Sequence, residues 1–211
     1  MVRIESSIKT DDPVVAYPVT SLLNLAAASA SGDDVCSDLF RDLRALLEKL
    51  HRSSVDFFRP PGATGSKRLV PESVFSAHLA LGFELLGWRC EREAQRAAGR
   101  TDLLMRRNGS RDAAIVEVKI WGRHDYLEAH HQVESYRTSE VVAGAVVQLT
   151  DAELPDWPER YRRNCLGACP DATSEPMAGS PIHARFRCRS TTPDGVDVRV
   201  DHFLLRLPRR A

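Results

Sequence analysis

The chain has 211 residues, of which 43% are hydrophobic and 27% are charged, and its 29 basic residues balance 29 acidic ones. This composition is ordinary for a globular protein of one domain, or of one domain with an added layer. The absence of net charge excludes a protein that coats nucleic acid through a global positive field, so any such contact must use a local patch.

The sequence also gives expectations about location. It has no apolar run close to the roughly 18 residues that a membrane span requires, and its first residues, MVRIESSIKTDD, lack the apolar core of a signal peptide. The five cysteines are an odd number without a regular framework, which favours reduced thiols. We therefore expect a cytoplasmic protein without a membrane partner.

The first third of the chain is predicted to be helical. Apolar residues recur at helical spacing over Val35–Arg52, which indicates an amphipathic helix facing the core or a partner. The stretch Asp56–Arg68 contains Pro-Pro and two glycines and predicts a loop. We expect residues 1–68 to form a helical region packed on a main domain of residues 69–211, whose last strands extend the sheet.

The main domain is predicted to alternate helices and strands. A helix begins at Pro71 and ends near Leu86, and a strand follows over Trp88–Glu93. A second helix is expected over about Tyr126–Thr138, followed by an apolar strand, Val141–Leu149, that is buried on both faces.

Between these elements lies a predicted β-hairpin. Thr101–Arg107 and Ala113–Trp121 are rich in strand-forming residues and flank a linker that contains Asn108-Gly109, a strong hairpin signal. Folding the hairpin about Ser110 places the start of the first strand opposite the middle of the second.

Charged residues interrupt this apolar hairpin. Asp102 opens the first strand and comes to lie opposite Glu117 or Val118, while Glu117 and Lys119 share one face of the second strand. A solvated edge strand could carry the same charges. Burying two carboxylates together is costly without a cation, and carboxylate oxygens suit Mg²⁺ or Mn²⁺.

An Asp on one strand and Glu-x-Lys on the next resemble the motif of the PD-(D/E)xK nuclease superfamily. The matching residues are Asp102 and Glu117-Val118-Lys119, with Thr101 in place of the usual proline. Gln132 and Tyr136 match the Gln-x-x-x-Tyr helix motif of several branches of that superfamily. The resemblance covers about residues 70–150.

The resemblance implies an α/β, restriction-endonuclease-like mixed sheet with an α-β-β-β-α-β core. It implies a Mg²⁺- or Mn²⁺-dependent endonuclease that hydrolyses phosphodiester bonds, with DNA as the partner. The implied metal ligands are Asp102, Glu117 and the backbone carbonyl of Val118, with Glu93 as an additional ligand. The other implied catalytic residues are Lys119, Gln132, Tyr136 and, from the preceding helix, Glu72.

Two other functions remain open from the sequence. The same fold could be a non-catalytic module that binds nucleic acid or protein. It could also be an effector nuclease that acts as a homo-oligomer or with an activating partner or ligand, for example in phage defence. The helical first third, which has no catalytic motif of its own, favours the effector.

Cysteine and histidine residues suggest a second metal site. Three thiols and an imidazole could form a tetrahedral zinc site, although unligated thiols explain them equally well. The set consists of Cys165, Cys169, His183 and Cys188. The adjacent His130 and His131 point to different helix faces, which argues against a zinc site built on that pair.

One further basic cluster follows the predicted core. Arg160-Tyr161-Arg162-Arg163 could hold phosphates while Tyr161 stacks on a base, or it could be a solvated helix face.

Overall fold

The structure is a computed structural model. It describes residues 35–52, 58–59, 68–69, 71–96, 99–123, 126–136, 138–167, 169, 172–175, 177, 179–191 and 197–207. Of the amino-terminal region expected over residues 1–68, residues 1–34 lie outside the described part.

Four helices and nine strands are present in the described residues. In chain order they are α1 (Val35–Arg52), β1 (Phe58–Arg59), β2 (Arg68–Leu69), α2 (Glu72–Leu85), β3 (Trp88–Arg96), β4 (Gly99–Arg107), β5 (Ala113–Ile120), α3 (Ala129–Ser135), β6 (Val141–Thr150), α4 (Trp157–Cys165), β7 (Thr173–Glu175), β8 (Ile182–Thr191) and β9 (Asp197–Arg206). None of the helices described is long and apolar enough to cross a bilayer.

The main sheet is mixed, so the predicted α/β class is confirmed. Its seven strands follow the order β3-β4-β5-β6-β9-β8-β7. β3 pairs antiparallel with β4, and β4 pairs antiparallel with β5. β6 is parallel to both β5 and β9, and the pairs β9–β8 and β8–β7 are antiparallel. The expected carboxyl-terminal strands thus pair beside β6.

Helices cover both faces of this sheet. The side chains of Val116 and Val118 pack into a core with α1 and α2, whereas Ile115 packs into a second core with α3 and α4. All residues of β5 are buried. The predicted alternation of side chains along this strand is confirmed. Glu117 and Lys119 lie on the same face as Ile115, which is the face covered by α3.

The hairpin of β4 and β5 follows the prediction closely. Leu103 pairs with Val116 and Met105 pairs with Ala114. Gly109 has a φ of 85°, which only glycine adopts easily, and the turn closes through Ser110 N–H donating to the Arg107 carbonyl at 3.1 Å. Two bounds differ, since β4 begins at Gly99, two residues before the predicted Thr101, and β5 stops one residue before the predicted Trp121.

Two predicted elements need correction. The helix α3 is much shorter than the predicted Tyr126–Thr138, because Tyr126 lies in a turn before it. The centroids of the Tyr126 and Trp121 rings are 4.6 Å apart, and the Tyr126 carbonyl accepts a hydrogen bond from the Gln148 side chain. The loop predicted over Asp56–Arg68 misses the short paired strands β1 and β2.

For the basic cluster on α4, the structure decides between the two interpretations. Tyr161 is fully buried in the core, so it cannot stack on a base. Its neighbours Arg162 and Arg163 are exposed, as a solvated helix face requires.

A buried ion pair fastens α1 to the sheet. Asp42, 3% exposed, accepts hydrogen bonds from the Trp88 indole at 2.9 Å and from Arg107 at 2.7 Å.

We expect Asp42→Ala to lower the free energy of unfolding in urea by about 2 kcal/mol, since Arg107 keeps Asp38 as a partner. The control is Glu153→Ala, which removes an exposed ion pair worth ~0–1 kcal/mol. Equal losses in the two variants would contradict this account.

Candidate active site

The predicted acidic pair is brought together where β4 and β5 separate. Continuing the register beyond Leu103 and Val116 sets Asp102 opposite Glu117. The Asp102 N–H donates to Glu117 Oε1 at 3.1 Å, and the Val118 N–H donates to Asp102 Oδ2 at 2.8 Å. The two carboxylates therefore take the place of ladder hydrogen bonds and are held in fixed positions.

The environment of Glu117 excludes the alternative of a solvated edge strand. The strand β5 lies between β4 and β6, and Glu117 is 2% exposed. Burial and, next, the negative charge of Asp102 raise the pKa of Glu117 to about 7, and this is the net shift after the opposing effect of Lys119. The ammonium of Lys119 lies 3.8 Å from Glu117 Oε2 and is itself buried.

Glu72 is joined to the end of the same strand. Its Oε1 accepts a hydrogen bond from the Ile120 N–H at 2.7 Å. Since Glu72 is the first residue of α2, this bond ties the start of that helix to the strand that carries Glu117 and Lys119. The structure thus places Glu72 at the carboxyl end of β5.

Glu93 faces a different partner. The pairs on either side of it, Arg92 with Leu103 and Ala94 with Thr101, set it across from Asp102. Its φ of 51° is unusual for a residue with a side chain, and its exposed carboxylate lies 3.7 Å from Arg100. The described contacts of Glu93 are therefore with Arg100, and its role as a metal ligand stays a prediction.

The helix α3 lies close over the site because β6 carries a glycine beneath it. A Cβ atom at Gly144 would stand only 2.5 Å from Val133 of α3. This close approach brings Tyr136, 8% exposed, within electrostatic reach of the acidic pair. Burial raises the pKa of Tyr136, and the charge of Glu117 raises it further.

Gln132 lies one helical turn before Tyr136. Its Oε1 atom is buried and has no hydrogen-bond partner within the described part of the chain. A buried acceptor without a partner is costly, which is typical of a group whose partner is a ligand, a metal-bound water or another water.

The donor set fits a hard divalent cation. One oxygen of Asp102 and one of Glu117 are each fixed by a backbone N–H, and carboxylate oxygens are the ligands that such ions prefer. A cation between them would offset both the burial and the repulsion that raise the pKa of Glu117.

The structure also gathers thiols and imidazoles, although not the set predicted from the sequence. His183 is exposed and packs on Trp157 at 6.1 Å. The buried group, which we call the thiol–imidazole cluster, instead combines Cys169 and Cys188 with His130 and His202.

The sequence contains signals for this cluster that spacing motifs do not display. His130 lies on the inward face of α3, and the adjacent His131 on the exposed one. His202 interrupts the apolar end of β9, where a buried polar residue requires a partner. The inward position of His130 and the buried position of His202 are therefore the features that indicate the cluster.

The structure therefore defines an α/β protein with a buried carboxylate–lysine site between its hairpin and α3. Comparisons with protein-family models, with curated proteins and with solved structures found no significant match to the chain.

Proposed function

We propose that the chain is a divalent-metal-dependent nuclease with a restriction-endonuclease-like fold that hydrolyses phosphodiester bonds in DNA. The observation that carries the proposal is the reciprocal pair of hydrogen bonds that fixes Asp102 against Glu117, with Lys119 beside them on a buried strand. A buried carboxylate such as Glu117, with a second carboxylate beside it, is costly unless a cation offsets the charge.

The order of elements supports the proposed fold. The series α2-β3-β4-β5-α3-β6 corresponds to the α-β-β-β-α-β core that the sequence resemblance implies. Its hairpin is antiparallel, and the strand after α3 pairs parallel to β5.

The carboxylate pair, with the Val118 carbonyl, is the proposed binding site for Mg²⁺ or Mn²⁺. A divalent ion bound there supplies Lewis acidity to a phosphoryl oxygen and lowers the pKa of its bound water. Asp102 and Glu117 are pre-positioned for this because backbone N–H groups hold them.

The remaining residues act around that pair. Lys119 is placed to stabilise negative charge that develops on the phosphate. Gln132 offers an unsatisfied acceptor to a water, and Tyr136 limits the access of solvent. Glu72 positions the end of β5 through its bond to Ile120.

We test the function with a panel of substrates. Circular, linear and single-stranded DNA, and RNA, are incubated with the full chain in Mg²⁺, Mn²⁺ or EDTA. The proposal predicts metal-dependent cleavage of DNA. Tight binding without cleavage in either metal would favour the non-catalytic module, and cleavage only after addition of a cell extract would favour the partner-activated effector.

Lys119→Met should separate chemistry from metal binding. We expect kcat to fall by about 100-fold, because the group that stabilises the developing charge is lost while both carboxylates remain. Single-turnover cleavage and Mn²⁺ titration provide the two measurements. Lys49→Met on α1 is the matched control, and a similar fall of kcat in that variant would contradict the assignment.

The part of the sheet formed by β3 and β4, on the face that carries Asp102, is the proposed surface for the nucleic acid. A cavity of about 200 Å³ is lined there by Arg89, Glu91, Leu104 and Arg106. Arg89 is exposed and lies four residues before Glu93 on β3. Because Glu93 is the strand position opposite Asp102, Arg89 lies ~13 Å from that position along the strand.

Arg89→Ala should therefore weaken DNA binding. We expect a several-fold rise in KM and an unchanged kcat. The slope of the logarithm of the binding constant against the logarithm of the salt concentration should decrease in magnitude by about one. Arg163→Ala, an exposed change on α4, serves as the control. If both variants bind DNA alike, the substrate does not cross this face.

A further inference from the structure

The thiol–imidazole cluster lies on the same side of the sheet as α3 but is built from different residues than the carboxylate site. Its imidazoles come from α3 and β9, one thiol comes from β8, and the other comes from the segment after α4. His130, Cys188 and His202 are each no more than 2% exposed, and their ligand atoms all lie within 4.8 Å of one another.

We propose that His130, Cys169, Cys188 and His202 form a closed, four-coordinate site for Zn²⁺ or a metal ion of similar softness. Two thiolates and two imidazoles are the donor set of structural zinc sites. A site of this kind goes beyond the proposed nuclease function and does not depend on it.

The spacing of the two imidazoles supports a shared ligand. His130 Nδ1 and His202 Nε2 are 3.0 Å apart. Two nitrogens bound tetrahedrally to one zinc ion, at ~2.0–2.1 Å each, would be separated by about 3.3 Å. The separation of the two nitrogens is therefore close to that of two ligands of one zinc ion.

Each imidazole has a partner on its far nitrogen. The Tyr161 hydroxyl lies 2.7 Å from His202 Nδ1, and Glu134 Oε1 lies 3.3 Å from His130 Nε2. Metal-binding histidines characteristically donate their second N–H to an oxygen acceptor, which fixes the tautomer and aims the other nitrogen at the metal. Both rings of this cluster have such an acceptor.

The two cysteines complete the set. Cys169 lies 2.9 Å from His130 Nε2 and interacts with the thiol of Cys188. When Cys169 turns from the imidazole to the metal, Glu134 remains as the acceptor for His130 Nε2–H. The filled site would join α3 to β8 and β9 and so hold the helix that carries Gln132 and Tyr136.

The first test is the metal content of the full chain, purified without added metal and passed through a chelating resin. We expect one zinc ion per chain. After exchange for Co²⁺ we expect a near-ultraviolet thiolate-to-metal band together with the visible bands of tetrahedral cobalt. A wild-type chain that holds no zinc and gives no thiolate band with Co²⁺ would overturn the proposal without any need for a variant.

Matched variants locate the site. His202→Gln and Cys188→Ser should lose the metal and the thiolate band, whereas His183→Gln and Cys90→Ser should keep both. Should Cys188→Ser not fold, Cys169→Ala replaces it. Equal loss in the His183 and His202 variants would contradict the assignment.

Two further measurements distinguish a zinc site in this cluster from metal binding at the carboxylate site and from a redox-active cysteine pair. Glu117→Gln should retain zinc, because the carboxylate pair is a different site; its loss there would overturn the proposal. All five thiols should react with an alkylating reagent once the metal is removed and the chain is unfolded. A disulfide between Cys169 and Cys188 in the freshly purified chain would show a redox pair instead.

Discussion

Asp102→Asn should reduce metal-dependent DNA cleavage by at least ~10³-fold while leaving the fold intact. Asparagine has the shape of aspartate, and its Oδ1 can still accept the hydrogen bond from the Val118 N–H. What it loses is the negative charge that the divalent ion requires. The measurement is the rate of cleavage at saturating Mg²⁺ or Mn²⁺, together with thermal unfolding of both proteins.

The matched control for this prediction is Asp112→Asn. Asp112 is exposed in the hairpin linker, so its variant carries the same charge change on the same hairpin. Its activity should equal that of the wild type. Retention of cleavage within tenfold by Asp102→Asn would remove Asp102 from the metal site.

Glu117 should make the metal-free protein less stable as the pH rises. Its pKa of about 7 in the folded chain exceeds the value of 4.5 for an unperturbed glutamate, so the folded state binds the proton more tightly than the unfolded state. The stability that protonation provides is complete below about pH 4.5 and is lost progressively as the pH rises to about 7. The loss is on the order of 3 kcal/mol.

Urea unfolding in EDTA at pH 5 and pH 8 measures this loss. Glu117→Gln should remove that part of the pH dependence and be more stable than the wild type at pH 8. Mg²⁺ should restore stability to the wild type at pH 8, because it binds the folded state alone. Glu153→Gln, an exposed change, should follow the wild type at both pH values. Identical pH profiles for wild type and Glu117→Gln would show that Glu117 is not the group concerned.

Local patterns were sufficient to predict the hairpin and the strand after α3. The Asn108-Gly109 turn set the register to within one residue, and the alternation of β5 placed Glu117 and Lys119 on one face. Such features depend on neighbours in the chain, and a sequence displays them directly.

Features that depend on distant parts of the chain could not be predicted in this way. The helix α3 begins late because Tyr126 is held by Trp121 and Gln148, contacts that exist only in the folded sheet. The thiol–imidazole cluster joins His130 to His202 across 72 positions. No short spacing motif can reveal such a pairing.

The residues of the candidate site show the same difference between local features and features that depend on distant parts of the chain. Asp102 and Glu117 meet because they share a hairpin. Glu93 occupies the expected strand position, but its unusual φ and its contact with Arg100 depend on backbone geometry that the residue type does not predict. Glu72 reaches β5 through its hydrogen bond with the Ile120 N–H, 48 positions further along the chain.

Calorimetric titration of Mn²⁺ into the metal-free chain at pH 7 tests the central claim most directly. The wild type should bind the ion and release protons as Glu117 ionises, which is seen as a binding heat that changes with the ionisation enthalpy of the buffer. Asp102→Asn and Glu117→Gln should not bind at this site, and Asp112→Asn should bind as the wild type does. A wild-type chain without binding, or equal binding by all four proteins, would contradict the account.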